Sequence, residues 1–208
     1  MIPPLAALKR LSEGNRRFAS GVRSIETTLG KSQRDELIGG QEPFGVILGC
    51  SDSRVPVEII FDQGLGDLFV IRVAGNIVAP SHIGSVEFAA EAFGTRLVVV
   101  LGHSRCGAVT ATIDELQRPS ESRSANLSDI VDRVRPSVEG LLKTDLRNDR
   151  DALIDEAVRA NIRASADHLR HGSRMLEDLI ENDGLLVVGA EYSLETGLVD
   201  FFDGMPDQ

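Results

Sequence analysis

Cys50 and Cys106 are the two cysteines of the chain, and each sits in a short polar segment that directly follows an apolar run. The first segment reads Val46-Ile-Leu-Gly-Cys50-Ser-Asp52-Ser-Arg54, and the second Val99-Val-Leu-Gly-His103-Ser-Arg-Cys106-Gly. Two thiolates, an imidazole and a carboxylate make a zinc ligand set, with sulfur and nitrogen at roughly 2.0 to 2.3 Å from the metal. His-x-x-Cys or Cys-x-Asp by itself is a weak signal. The two together, each after Gly and using every cysteine present, favour metal ligation over a pair of inert buried thiols. Cys106 also stands where a helix opening at Gly107-Ala-Val-Thr would begin, and a helix N-terminus stabilises a thiolate. Ligation by Cys50, His103 and Cys106 leaves a fourth position for water, as an enzymatic zinc requires. Asp52 as a permanent fourth ligand would instead make the closed site of a zinc-stabilised scaffold.

These segments need strands to bring them together. Phe44-Gly-Val-Ile-Leu, Leu68-Phe-Val-Ile-Arg-Val, Arg96-Leu-Val-Val-Val-Leu and Leu185-Leu-Val-Val-Gly are short apolar runs rich in β-branched residues, the pattern of strands buried on both faces. Helical patterns lie between and around them, at Ile83 to Phe93, Ala108 to Gln117, about Leu127 to Leu142, and Asp151 to Asn182 with an interruption near Gly172. Strands alternating with helices predict an α/β fold with a mostly parallel central sheet flanked by helices. Ligands then gather outside the carboxyl ends of the strands, where both segments would open. Leu5, Leu8, Leu11 and Phe18 predict an amphipathic N-terminal helix within an arm over residues 1–35, suited to packing on a partner subunit. Residues 118–126 read as a polar surface loop, and the whole of 1–208 as one domain.

The formal charge of −10 disfavours a nucleic-acid role, which needs clustered Lys and Arg. No apolar run approaches the roughly 20 residues that span a bilayer, and the start carries no signal-peptide pattern, so no membrane role is expected and the cytoplasm is the default location. Gly102 and Gly107 have the spacing of a phosphate-binding loop, but Ala108-Val109 follows where Lys and Ser or Thr are required. Gly64 and Gly66 precede a strand where a dinucleotide-binding turn would follow one.

Cys50-Ser-Asp-Ser-Arg-Val and Gly102-His-Ser-Arg-Cys-Gly resemble the two signature segments of the β-carbonic anhydrase family. The likeness extends through Asp67-Leu-Phe-Val-Ile-Arg-Val-Ala-Gly-Asn and Gly84-Ser-Val-Glu-Phe-Ala, and less closely to Gly189-Ala-Glu-Tyr. The resemblance implies a homo-oligomer (a dimer or dimer of dimers), one zinc ion per subunit, and reversible hydration of carbon dioxide to bicarbonate through zinc-bound hydroxide. It implies that Arg54 holds Asp52 off the metal and that Asp52 becomes the fourth ligand when the pair breaks; low pH is then expected to favour this closed form, because protons compete with formation of the zinc-bound hydroxide. Apart from the resemblance, their spacing beside the ligands makes the two a pair that tunes the metal site, with an ordinary structural ion pair as the alternative.

Phe69, Ala74, Phe88 and Gly107 fall at the family's pocket positions, and Gln41 matches a glutamine that would hydrogen-bond substrate or bicarbonate. Phe88 stands where many relatives have Tyr. A second bicarbonate site found in some relatives uses an aromatic residue where this chain has Ile47, so that site is not expected, although Arg72 and Tyr192 match its other members. Arg72 reads more simply as a strand-end charge or interface residue. His82 reads as a loop residue and a candidate proton shuttle, and His168 and His171 as surface residues. A hydrolase of another small linear molecule, such as carbon disulfide, could use the same ligands.

Overall fold

The computed structural model describes residues 2–22, 35, 37–119 and 124–206. Each of the apolar runs forms a strand: β1 (Gly45–Gly49), β2 (Leu68–Arg72), β3 (Leu97–His103) and β4 (Leu186–Tyr192). A further strand, β5 (Val199–Asp203), completes a five-stranded sheet of order β2-β1-β3-β4-β5. The first four pair in parallel, and β5 runs antiparallel to β4. β1 and β3 are buried at every residue, so both faces select apolar side chains and the alternation of a half-exposed strand is absent.

Successive side chains point to opposite faces, and the core is accordingly double. Val46, Leu48, Val98 and Val100 pack on one side with Ile113, Val134, Ile162 and Leu169. These come from α4 (Gly107–Gln117), α5 (Ala125–Glu139) and α6 (Arg150–His171). Ile47, Val99 and Leu101 pack on the other side with Leu8, Leu11, Val57 and Ile60, from α1 (Pro4–Ala19) and the one-turn α2 (Val57–Ile60). α1 is seated on its own chain: Asn15 donates to the carbonyls of Ile60 and Gly197, and Arg17 pairs with Asp62 at 2.6 Å. Of its expected stripe, Leu8 and Leu11 are buried and Leu5 is exposed. Residues 23–34 of the expected arm and 120–123 of the expected loop lie outside the described residues.

The remaining boundaries follow local chemistry. The helix expected from Ile83 begins three residues earlier, so that α3 is Pro80–Ala92 with proline in its first turn, where a missing N–H costs nothing. The expected break near Gly172 divides α6 from α7 (Arg174–Asn182), whose first turn is capped by Ser173 accepting from the Leu176 N–H. α5 likewise starts at a serine cap, Ser124, inside the segment read as loop.

Candidate metal centre

β1 and β3 are direct parallel neighbours with Gly49 opposite Leu101, so Cys50 and His103 leave the sheet at the same edge. Arg105 takes the left-handed conformation, φ 56°, and the tight turn it makes returns Cys106 to the N-cap of α4. The ligand atoms of Cys50, His103 and Cys106 lie within 4.8 Å of one another, and all three residues are buried.

Two features of this cluster fit a metal ion. His103 Nδ1 lies 3.0 Å from the Ser104 carbonyl oxygen, an acceptor that makes this nitrogen the N–H donor and leaves the lone pair on Nε2. Nε2 is buried and has no hydrogen-bond partner, a costly state for a polar atom unless another ligand satisfies it. A carbonyl behind the far ring nitrogen is also the usual outer support of a metal-binding histidine. The second feature is the thiol pair. Its mutual hydrogen bond lowers Cys50 to about 4 and, together with burial, pushes Cys106 well up, so the two sulfurs share one proton that a divalent cation can displace. Burial lowers the His103 pKa, but the Cys50 sulfur, the Ser104 carbonyl and Asp52 outweigh it and raise the value.

Asp52 stands beside the cluster, with its carboxylate paired to Arg54. Arg54 Nε donates to Asp52 Oδ1 at 2.9 Å, Arg54 Nη2 to Oδ2 at 2.7 Å, and the Arg54 N–H to Oδ1 at 2.9 Å. This guanidinium holds the Asp52 carboxyl well below the ordinary carboxylate range. Oδ2 lies 3.8 Å from His103 Nε2.

Several groups at the site carry no signal in the spacing of the motifs. The Gly75 N–H donates to Cys50 Sγ at 3.4 Å from a three-residue turn, Ala74–Asn76, that follows β2. Gly75 has φ 72°, and a Cβ there would lie 3.1 Å from that of Ala108. Asn161 of α6 donates to the Gly75 carbonyl at 2.7 Å and holds the turn in place. Arg72 is more than a strand-end charge: its Nε donates to the Cys50 carbonyl at 3.0 Å and its Nη2 to the Asp52 carbonyl at 2.6 Å. Only the position of Arg72 and Gly75 after a strand that ends on the same sheet edge could have hinted at them.

The pocket positions divide into two groups. Ala74 and Gly107 flank the ligands, next to Gly75 and Cys106. Gln41, Phe69 and Phe88 do not. Phe69 pairs with Val46 near the start of β1, four residues before Cys50, or about 13 Å along a strand, and Gln41 precedes β1 altogether. Phe69, Phe88 and Phe93 form an aromatic group with centroids 5.6 to 6.1 Å apart, in which Phe88 is 54% exposed. Ile47 is fully buried and Tyr192 packs against Phe18.

His82 belongs to α3 and not to a loop; its Nδ1 accepts from the Ala79 N–H at 3.1 Å, in place of the side-chain cap that Ala79 lacks. His168 and His171 are on the surface. A cleft of about 950 Å³ opens beside the centre, over Ser104 and Arg105, and Asp151, Asp155, Glu191, Glu195 and Asp200 line it. Arg16, Arg105, Ile154, Leu198 and Val199 line it as well, so the cleft is mixed in charge and polarity.

Fold and site together define an α/β protein with a buried two-sulfur, one-imidazole centre at the carboxyl edge of a mostly parallel sheet. A family model described as carbonic anhydrase matches residues 45–199. Carbonic anhydrase 2 of Mycobacterium tuberculosis is 39% identical over 196 residues, covering 93% of this chain and 90% of that protein. The carbonic anhydrase of Mycolicibacterium smegmatis is 37% identical and covers 98% and 96%. Among solved structures, the β-carbonic anhydrase CcaA superposes with a TM-score of 0.73 at 28% identity over 95% of each chain. One from Sordaria macrospora, described as tetrameric, gives 0.70 at 25% identity over 81% of this chain and 85% of that one. The chain belongs to the β-carbonic anhydrase family.

Proposed function

We propose that the chain catalyses the reversible hydration of carbon dioxide to bicarbonate and a proton, with one zinc ion per subunit held by Cys50, His103 and Cys106. The observation that carries this is the convergence of three buried soft donors, within 4.8 Å, around an imidazole nitrogen with no hydrogen-bond partner. Zinc in such a site supplies a Lewis acid that lowers the pKa of water toward about 7, a power tempered here by the charge of two thiolates.

The chain's own groups do the rest. Arg54 occupies one side of the Asp52 carboxylate, and the remaining lone pairs are free to accept a hydrogen bond from the attacking water and to orient it. The same contact keeps Asp52 off the ligand cluster, 3.8 Å from His103 Nε2. Asp52 and Arg54 therefore gate the open position, and release of Asp52 closes it. Ala74 and Gly107 border the place where carbon dioxide would approach; as small residues they leave it room.

Gln41, Phe69 and Phe88 complete the pocket of a second copy of the chain. This accounts for their place at the far end of β1 and for the exposure of Phe88, and the tetrameric relatives support a dimer or dimer of dimers. Carbon dioxide and bicarbonate are then the small-molecule partners. We place the reaction in the cytoplasm, where a reducing environment keeps Cys50 and Cys106 available to the metal; no described helix is long and apolar enough to cross a membrane.

Stopped-flow hydration of carbon dioxide by protein of measured zinc content tests the reading, alongside Cys106→Ser and Asp52→Asn. Activity that follows zinc content and is lost in Cys106→Ser is expected. Full zinc occupancy without hydration at alkaline pH would sink the enzyme reading and leave a structural zinc protein.

A further inference from the structure

We infer that Arg72 is a positioning residue of this site: its guanidinium ties the backbone of the ligand Cys50 to that of the gate Asp52 and so fixes where the Asp52 carboxylate can reach. The inference rests on the proposed hydratase reading and deepens it.

Arg72 is the last residue of β2 and pairs with Gly49, the last residue of β1. It is exposed, and among the described residues no carboxylate pairs with it. Its two hydrogen bonds go to main-chain oxygens, those of Cys50 and Asp52. A planar fork that bridges the carbonyls of residues two apart sets the direction of both peptides at once, and bonds from a charged donor are short and strong. The remaining bonds of the segment run to the same side. The Val73 N–H donates to the Gly49 carbonyl at 3.1 Å and the Ser51 N–H to the Val73 carbonyl at 3.2 Å, and the Gly75 N–H reaches Cys50 Sγ. The Asp52 carbonyl also accepts from the Val55 N–H at 3.0 Å, which closes the turn that delivers Arg54 to the Asp52 side chain.

Without the Arg72 fork no other donor among the described residues reaches the Cys50 carbonyl, and the Ser51 N–H bond to Val73 is the one tie left between the two peptides and β2, while the Asp52–Val55 turn persists. The Asp52–Arg54 pair then has no fixed place relative to the ligands, and Asp52 can exchange Arg54 for the cluster. The consequence is a carboxylate no longer held at its distance from His103 Nε2, with the gate loosened and the ligand Cys50 less firmly aimed. A lysine offers one ammonium on a flexible stem and can hold one carbonyl at a time, so Arg72→Lys should fall between wild type and Arg72→Met.

Cobalt(II) put in place of zinc supplies a readout independent of turnover, since its visible bands report ligand number and thiolate ligation. The proteins to compare are wild type, Arg72→Lys, Arg72→Met and Arg72→Met/Asp52→Asn, each checked for folding by circular dichroism. Arg72→Met should change the cobalt d–d bands as Asp52 reaches the metal, and adding Asp52→Asn should restore them. A chelator should extract metal from Arg72→Met roughly 10-fold faster or more, the scale of losing an outer support of a metal site. Bands and extraction rate in Arg72→Met equal to wild type would overturn the inference. If Arg72→Met does not fold, Arg72→Lys decides: a wild-type spectrum and extraction rate overturn the inference, and an altered spectrum with faster extraction supports it. A wild-type protein that shows no thiolate–cobalt bands would instead bring down the metal reading itself, so the two failures are distinguishable.

Discussion

Arg54 commits its main-chain N–H and two side-chain donors to the single carboxylate of Asp52, although the pair is half open to water. An exposed pair of this kind contributes little to stability, so its effect should fall on the reaction and not on the fold. Arg54→Met should lower hydration activity by roughly 10- to 100-fold, as expected for loss of a group that aims another, while zinc content and the urea midpoint stay close to wild type. Stopped-flow assays with metal analysis check this; a variant that loses zinc in proportion to activity would show that Arg54 serves ligation instead. At this scale the ligands were legible because Cys and His are rare and their chemistry is specific. Arg72, Gly75 and Asn161 were not, because their partners are main-chain atoms or a sulfur reached through a main-chain N–H, and every residue offers such atoms. Asn161, 86 positions from the carbonyl it holds, has no local pattern to betray it.

The elements that carry these residues depend on close approach between α6 and the sheet. A Cβ on Gly102 would lie 2.6 Å from Ile162 Cδ1, and one on Gly189 2.8 Å from Ile162 Cγ2. Ile162 is fully buried between them. Gly102→Ala should therefore cost about 1 to 3 kcal/mol as overpacking, read as a lower urea midpoint, and less than that in an Ile162→Ala background, which lacks both Cδ1 and the equally close Cγ1. Equal effects with and without the Ile162 change would place the cost elsewhere. α3 gives a second test. His82 Nδ1 accepts the Ala79 N–H only while neutral, and burial, the largest influence, lowers its pKa below the ordinary value. A depressed folded-state value means that the unfolded chain binds the proton more readily. The cap's contribution is then complete above about pH 6.5, the unfolded value, and fades as pH falls below it. The difference in urea midpoint between wild type and His82→Ala should accordingly shrink from pH 7.5 to pH 5; a constant difference would rule out a titrating cap. The four parallel strands and the break at Gly172 were readable because burial on both faces and helix punctuation leave strong local patterns. β5 was not, since Val199-Asp-Phe-Phe-Asp is short and mixed, and becomes a strand only by pairing with the edge of β4.

At the scale of the whole molecule, the proposed pocket needs groups from both ends of β1, which one chain cannot bring together. Each copy also carries a formal charge of −10, so association has to rest on apolar contact against like-charge repulsion, and added salt should strengthen it. The aromatic group of Phe69, Phe88 and Phe93 supplies an exposed apolar surface for this. Phe88→Asp should then shift sedimentation toward the monomer and reduce activity without changing the zinc bound per chain. Complementation makes the sharper test. In Cys106→Ser protein every site lacks a ligand, and in Gln41→Ala protein every site lacks a group given by its partner. In a mixed pair both lesions fall on one site, because the chain that lacks the ligand receives the defective partner's group, and the other site is intact. Unfolding and refolding an equal mixture makes about half the pairs mixed with one intact site each, so about a quarter of wild-type sites should reappear from parents that are each impaired. Activity that stays at the mean of the two parents would mean that Gln41 acts within its own chain, and that the distance along β1 is bridged by a change in the fold.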